Sequence, residues 1–200
     1  MSLRIAQFPE FTRTVVDNKY FSSTPFVFVD VGAAGGFRGK FNIFADSLIK
    51  IGFEPDAQQF SILSEGKNEQ YFRYALAEKK EARTLNLTRS PVSHSLLRSN
   101  QSFWERMWAG GIQAEVGRTE VETVAFDELR ELEDLGDIDY MKIDTEGTEL
   151  EILRGAEKTL RECVIAVECD IAFYPKAIFQ SLCCLGGATV TMIAMDNDGD

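Results

Sequence analysis

Two hundred residues, 44% hydrophobic and 26% charged, suffice for one domain with a full core and leave little room for a second. A formal charge of −11 argues against nucleic acid and anionic membrane as partners. Polyphosphate is repelled unless basic residues cluster, and Glu78 and Glu81 dilute the densest basic stretch, Lys79, Lys80 and Arg83. No apolar run has membrane-spanning length, and the first ten residues lack the blocks of a signal peptide. Cys163, Cys169, Cys183 and Cys184 follow neither metal nor disulfide spacing, so reduced thiols in a cytoplasmic protein are expected.

Residues 10–18 suit a short leading helix. Residues 25–30 form a nearly continuous apolar run that stops at a glycine cluster, as a strand buried on both faces does. Phe37, Phe41, Phe44, Ala45 and Leu48 recur at helical spacing, predicting an amphipathic helix over about 37–49. A second strand over 50–54 ends in Pro55 and Asp56, a helix with Phe60 and Leu63 inward follows, and 70–76 reads as a third strand. This alternation predicts a doubly wound, mostly parallel sheet with right-handed crossovers.

The pattern breaks over about 81–126. Residues 82–88 and 120–126 alternate like half-exposed strands and predict an antiparallel extension of the sheet. A polar loop between them holds the only histidine, His94, with Phe103, Trp104 and Trp108. A buried strand over 138–143 then restores the order, followed by a helix over 148–161, a strand over 163–167, a helix over 176–185 and a last strand over 189–195. The domain reading is a leading segment 1–25 and one catalytic domain, 26–200, with its insertion at 81–126.

The first turn reads Asp30, Val31, Gly32, Ala33, Ala34, Gly35, Gly36. Small residues there let a cofactor approach the backbone. Counted from Gly32, the dinucleotide fingerprint fails at Ala34 and Phe37. Asp30, at the end of the first strand, would repel a pyrophosphate but attract an ammonium or sulfonium. Glu54, at the end of the second strand, is placed to accept hydrogen bonds from ribose hydroxyls. Alternatively, Asp30 merely caps a helix and Glu54 is a surface acid.

These residues resemble the FkbM-type S-adenosylmethionine-dependent methyltransferases. The resemblance rests on VDVGAAGG (29–36), GFEPD (52–56), FDEL (126–129) and IDYMKIDTEG (138–147) running into ELEILRGA (149–156), and covers roughly 26–170. It implies a Rossmann-like class I methyltransferase fold and methyl transfer to a hydroxyl of a sugar or secondary metabolite. The family often has Asn where Ala34 stands. Its relatives usually finish with an antiparallel strand pair, so a short or differently closed C-terminal edge is expected here. The cofactor is then S-adenosyl-L-methionine, held by Asp30, Gly32, Ala33, Ala34, Gly35, Gly36, Glu54, Pro55, Asp56, Ala75 and Leu76, and the partner is a small-molecule or glycan acceptor.

For the chemistry, Asp144 and Glu146 stand at the carboxyl end of the strand 138–143, where an open parallel sheet binds ligands. Asp144 orients substrate or cofactor, or Asp144 or Thr145 caps the next helix. Glu146 is catalytic or stabilises that helix's first turn. His94 is a candidate general base. Trp104 and Trp108 form a lid that stacks on a sugar or simply packs. Asp144 with Glu168 or Asp170 could hold Mg²⁺, but no metal is assigned. The competing functions are an NAD(P)-dependent oxidoreductase on a similar fold and a cofactor-binding protein without turnover.

Overall fold

The apolar runs assemble into a sheet of strand order β3-β2-β1-β7-β8-β9. Its strands are β1 (Phe26–Val31), β2 (Leu48–Phe53), β3 (Glu69–Phe72), β7 (Tyr140–Ile143), β8 (Ala166–Phe173) and β9 (Gly186–Ile193). All neighbours pair in parallel except β8 with β9, so the C-terminal edge is closed by an antiparallel strand. The structure, a computed structural model, describes residues 10–37, 39–64, 66–107, 110–173 and 186–193. The helix expected over 176–185, along with Trp108, Cys183 and Cys184, lies outside them.

Alternation along β1 assigns the two faces of the sheet. Val27, Val29 and Val31 join Ile51, Phe53, Phe126, Met141, Ile143, Ile152 and Val167 in the main core. Each such side chain contributes about 1.5–3 kcal/mol when fully buried. This face is covered by α4 (Phe126–Leu132), α5 (Glu149–Gly155) and α6 (Glu157–Glu162). On the other face, Phe26 and Phe28 meet Phe21, Phe37, Phe41, Phe44 and Tyr140 beneath α1 (Glu10–Asp17).

Several elements depart from the sequence reading. Over the predicted helix 37–49 the chain forms a 3₁₀ run, Gly39–Ser47, broken at Ala45 (φ 48°, ψ −123°), and Leu48 already belongs to β2. The helical spacing of the phenylalanines reflects an aromatic layer: Phe44 stacks on Phe26 at 4.5 Å between ring centres, and Phe41 packs on Phe28 at 4.9 Å. The helix expected after Pro55 is short, α2 (Ala57–Ser61), and a further short helix, α3 (Gln101–Arg106), lies in the insertion. The single strand expected over 70–76 is divided between β3 and β4 (Ala75–Leu76). β4 leaves the main sheet to pair with β6 (Glu115–Val124), which also pairs antiparallel with β5 (Glu81–Thr88). The insertion is thus a separate sheet of order β4-β6-β5, not an extension of the first.

The helix expected over 148–161 divides at Ala156, and β8 begins later than expected. Gly155 sits against the chain after β4, where a Cβ would collide with the carbonyl oxygen of Ala77. α4 had no counterpart in the predicted elements. Its Asp127 accepts from the backbone N–H groups of Lys158 and Thr159, tying α4 to the start of α6.

Candidate active site

Backbone contacts between strand ends shape the glycine turn. The N–H groups of Gly32 and Ala33 donate to the carbonyl of Phe53, and that of Asp144 donates to the carbonyl of Val31. The ends of β1, β2 and β7 are thereby held together. Gly32 adopts φ +89°, and any Cβ there would collide with the carbonyl oxygen of Asp144. Only glycine meets both demands. Gly35 and Gly36, at φ +80° and +77°, complete the turn.

Above the strand ends lies an open cleft walled by Val31, Gly32, Ala34, Phe53, Glu54, Pro55, Tyr74, Ala75, Leu76, Leu85, Pro91, Val92, His94, Ser95, Leu96, Asp144, Thr145 and Thr148. Glu54 is the buried acid in this mostly apolar slot, 4% exposed. Its Oε1 accepts from the Asp56 N–H at 2.8 Å. Burial pushes its pKa up to about 7, outweighing that hydrogen bond.

A second chamber continues past the glycine turn, sharing Gly32, Ala34, Val92 and Asp144 with the first and adding Phe28, Asp30, Gly36, Lys142 and Glu168. Parallel register builds its floor, because Asp30 on β1 pairs with Lys142 on β7, and Lys142 pairs with Glu168 on β8. Three charged side chains therefore stand in a row on one sheet face. Lys142 Nζ lies 3.1 Å from Asp30 Oδ1 and 3.4 Å from Asp144 Oδ2. Asp30 is 6% exposed; burial raises its pKa and Lys142 pulls it back. Burial also opposes charge on Lys142, but Asp30 and Asp144 together outweigh it and hold its pKa above the usual lysine value. Glu168 accepts from the Tyr140 hydroxyl at 2.7 Å.

A family model described as the methyltransferase FkbM domain matches residues 30–183, spanning the glycine turn, the first chamber and the strand that carries Lys142. The chain belongs to the FkbM methyltransferase family. A crystal structure of the methyltransferase FkbM from Methylobacillus flagellatus KT is similar at 15% sequence identity and a TM-score of 0.44. The match covers 73% of this chain and 32% of that one, so this chain spans about a third of that protein's length. No curated protein matches the chain.

Within this FkbM domain, the candidate residues fall into two groups. Asp30, Gly32, Ala34, Gly36, Glu54, Pro55, Ala75, Leu76, His94 and Asp144 all line the chambers. Ala33, Gly35, Asp56 and Glu146 do not. Ala33 is buried beneath the turn, and Gly35 serves the turn's backbone path. Asp56 caps α2, its Oδ1 accepting from the Gln59 N–H at 2.7 Å. Glu146 adopts φ 61°, accepts from the Ser95 hydroxyl through its carbonyl, and borders a separate small polar pocket with Trp104, Ser99 and Gln113.

The expected helix cap is also placed differently. Thr148, not Asp144 or Thr145, occupies the N-cap of α5. The buried carboxylate of Glu149 folds back to accept from the Gly147 N–H at 2.9 Å, organising the loop that presents Asp144. His94 accepts the Thr88 N–H on Nδ1 at 3.1 Å, so the neutral ring carries its proton on Nε2. Burial lowers its pKa, with the charge of Asp56 opposing. A ring in that state donates from Nε2 and has no lone pair there to act as a base. No group of three or more His, Cys, Asp or Glu among the described residues could hold a metal ion. Cys163 and Cys169 are free thiols. No helix among the described residues is long and apolar enough to cross a membrane.

The sequence reading missed Lys142. It lay in plain view in the motif 138–147, but its partners are set by lateral strand pairing.

Proposed function

We propose that the chain is an S-adenosyl-L-methionine-dependent O-methyltransferase acting in the cytoplasm on a hydroxyl of a small-molecule or glycan acceptor. Glu54 carries this reading. It is a buried carboxylate whose one hydrogen bond among the described residues comes from Asp56, in a slot whose apolar wall includes Tyr74, Leu76, Leu85 and Val92. Ribose hydroxyls would supply the donors it lacks, and the apolar wall suits a purine. The second chamber fits a cationic end, through Asp30 and Asp144. A dinucleotide's pyrophosphate would meet those same carboxylates, which disfavours the oxidoreductase reading.

When bound, the cofactor supplies an electrophilic methyl on a sulfonium. Asp144 borders both chambers with 40% of its side chain exposed, held on one oxygen by Lys142. It would accept the hydrogen bond of the acceptor hydroxyl and take up its proton. His94 would donate from Nε2 to a ligand in the nucleoside slot. Glu146 braces the His94 loop through Ser95.

Calorimetric titration with S-adenosylhomocysteine, alongside NAD and a Glu54→Ala control, tests the reading. The expected result is micromolar binding of S-adenosylhomocysteine that Glu54→Ala weakens by about 1–3 kcal/mol, with no binding of NAD. A preference for NAD would sink the assignment. Tight S-adenosylhomocysteine binding without methylation of any hydroxyl acceptor would instead indicate a cofactor-binding protein without turnover.

A further inference from the structure

The second chamber holds two opposite charges side by side. Asp30 and Lys142 face each other in strand register, and their charged groups are 3.1 Å apart. An ammonium has three donors. Among the described residues, Asp30 and Asp144 take two of those on Lys142, leaving one, and a quarter of the Lys142 side chain is exposed. Asp30 in turn spends only Oδ1 on Lys142. A ligand reaching out of the nucleoside slot along Gly32 and Ala34, which border both chambers, meets this pair next.

We propose that Lys142 binds the α-carboxylate of the cofactor's amino-acid end while Asp30 receives its α-ammonium. The proposal rests on the S-adenosylmethionine reading above and adds the residue that recognises the zwitterion. Lys142 and Asp30 offer the two charges of an amino acid in complementary form, in a partly desolvated place where charge-assisted hydrogen bonds are strong. Asp30, Lys142 and Asp144 together carry one net negative charge, to which the neighbouring Glu168 adds. A sulfonium ligand with its ammonium and carboxylate carries one net positive charge and offsets part of it, whereas the thioether product does not. The triad thus favours loading of the methyl donor and release of the spent product. Lys142 stays cationic throughout and abstracts no proton.

The test is calorimetric titration of wild type, Lys142→Met and Lys142→Arg with S-adenosylhomocysteine and with 5′-methylthioadenosine, which lacks the amino-acid end. Lys142→Met is expected to weaken S-adenosylhomocysteine about 10- to 100-fold, to leave 5′-methylthioadenosine within about twofold, and to be largely rescued by Lys142→Arg. Equal losses for both ligands, or none for either, overturn the proposal. A second comparison needs no variant. Wild type should bind decarboxylated S-adenosylmethionine at least about tenfold more weakly than S-adenosylmethionine, and equal affinity overturns the assignment even if Lys142→Met does not fold. Wild type binding neither S-adenosylhomocysteine nor 5′-methylthioadenosine would fail the cofactor reading itself. Binding of both with no effect of Lys142 or of the carboxylate fails only this inference.

Discussion

The buried carboxyl of Glu54 makes folding stability depend on pH. Its carboxyl titrates near 7 in the folded chain, against 4.5 for the unperturbed group. Between those values the folded chain keeps a proton that the unfolded chain has released, so stability falls as pH rises through the window. Carried through linkage, the effect is up to about 3 kcal/mol for this one group. Glu54→Gln removes the titration while keeping the shape. Urea unfolding at pH 5 and pH 8 should then show a shallower pH dependence than wild type and a more stable protein at pH 8, although the variant binds S-adenosylhomocysteine less well. Parallel pH dependences would contradict the burial argument. His94 gives a second check, because the chain has a single histidine and hence one imidazole in the spectrum. Long-range ¹H–¹⁵N NMR should show an unprotonated Nδ1, a protonated Nε2 and a titration midpoint below the ordinary histidine value. A protonated Nδ1 at neutral pH would reopen the general-base role.

Among the elements, the break between α5 and α6 marks a close backbone approach. Gly155 lies so near the Ala77 carbonyl that a methyl group cannot fit, whereas a Cβ at Gly35 meets nothing within 4 Å. Gly155→Ala should therefore cost about 2 kcal/mol or more through overpacking, and Gly35→Ala only about 1 kcal/mol through its positive φ. Denaturant midpoints of the two variants decide this, and a reversed ranking would show that the α5–β4 contact yields easily. Helical spacing misled the sequence reading at two places for one reason. Periodicity reports which residues share a face and does not report what packs on it. Phe37, Phe41 and Phe44 share a face because an aromatic layer covers Phe26 and Phe28, which a 3₁₀ path satisfies. Leu150, Leu153, Ala156 and Leu160 run at helical spacing across a break at Ala156, beside the close approach of Gly155 to the Ala77 carbonyl.

For the whole molecule, a charge of −11 means that the folded chain repels itself. Raising NaCl from low to physiological strength should lift the thermal midpoint, and a fall would mean that ion pairs such as Lys158–Glu131 outweigh the repulsion. The parallel sheet, the glycine turn and the two acids Asp30 and Glu54 were legible in the chain. Apolar runs that end abruptly at small or acidic residues are local signals, and an α/β sheet places such ends at one edge. The division of residues 69–76 between two sheets, the cap at Thr148, the tautomer of His94 and the ion-pair partners of Lys142 were decided only by tertiary structure. The pairing of Lys142 depends on a group brought from far along the chain, since Asp30 lies 112 residues away. Charge on a buried side chain depends on the distance to its partner, and the linear order of residues does not contain that distance.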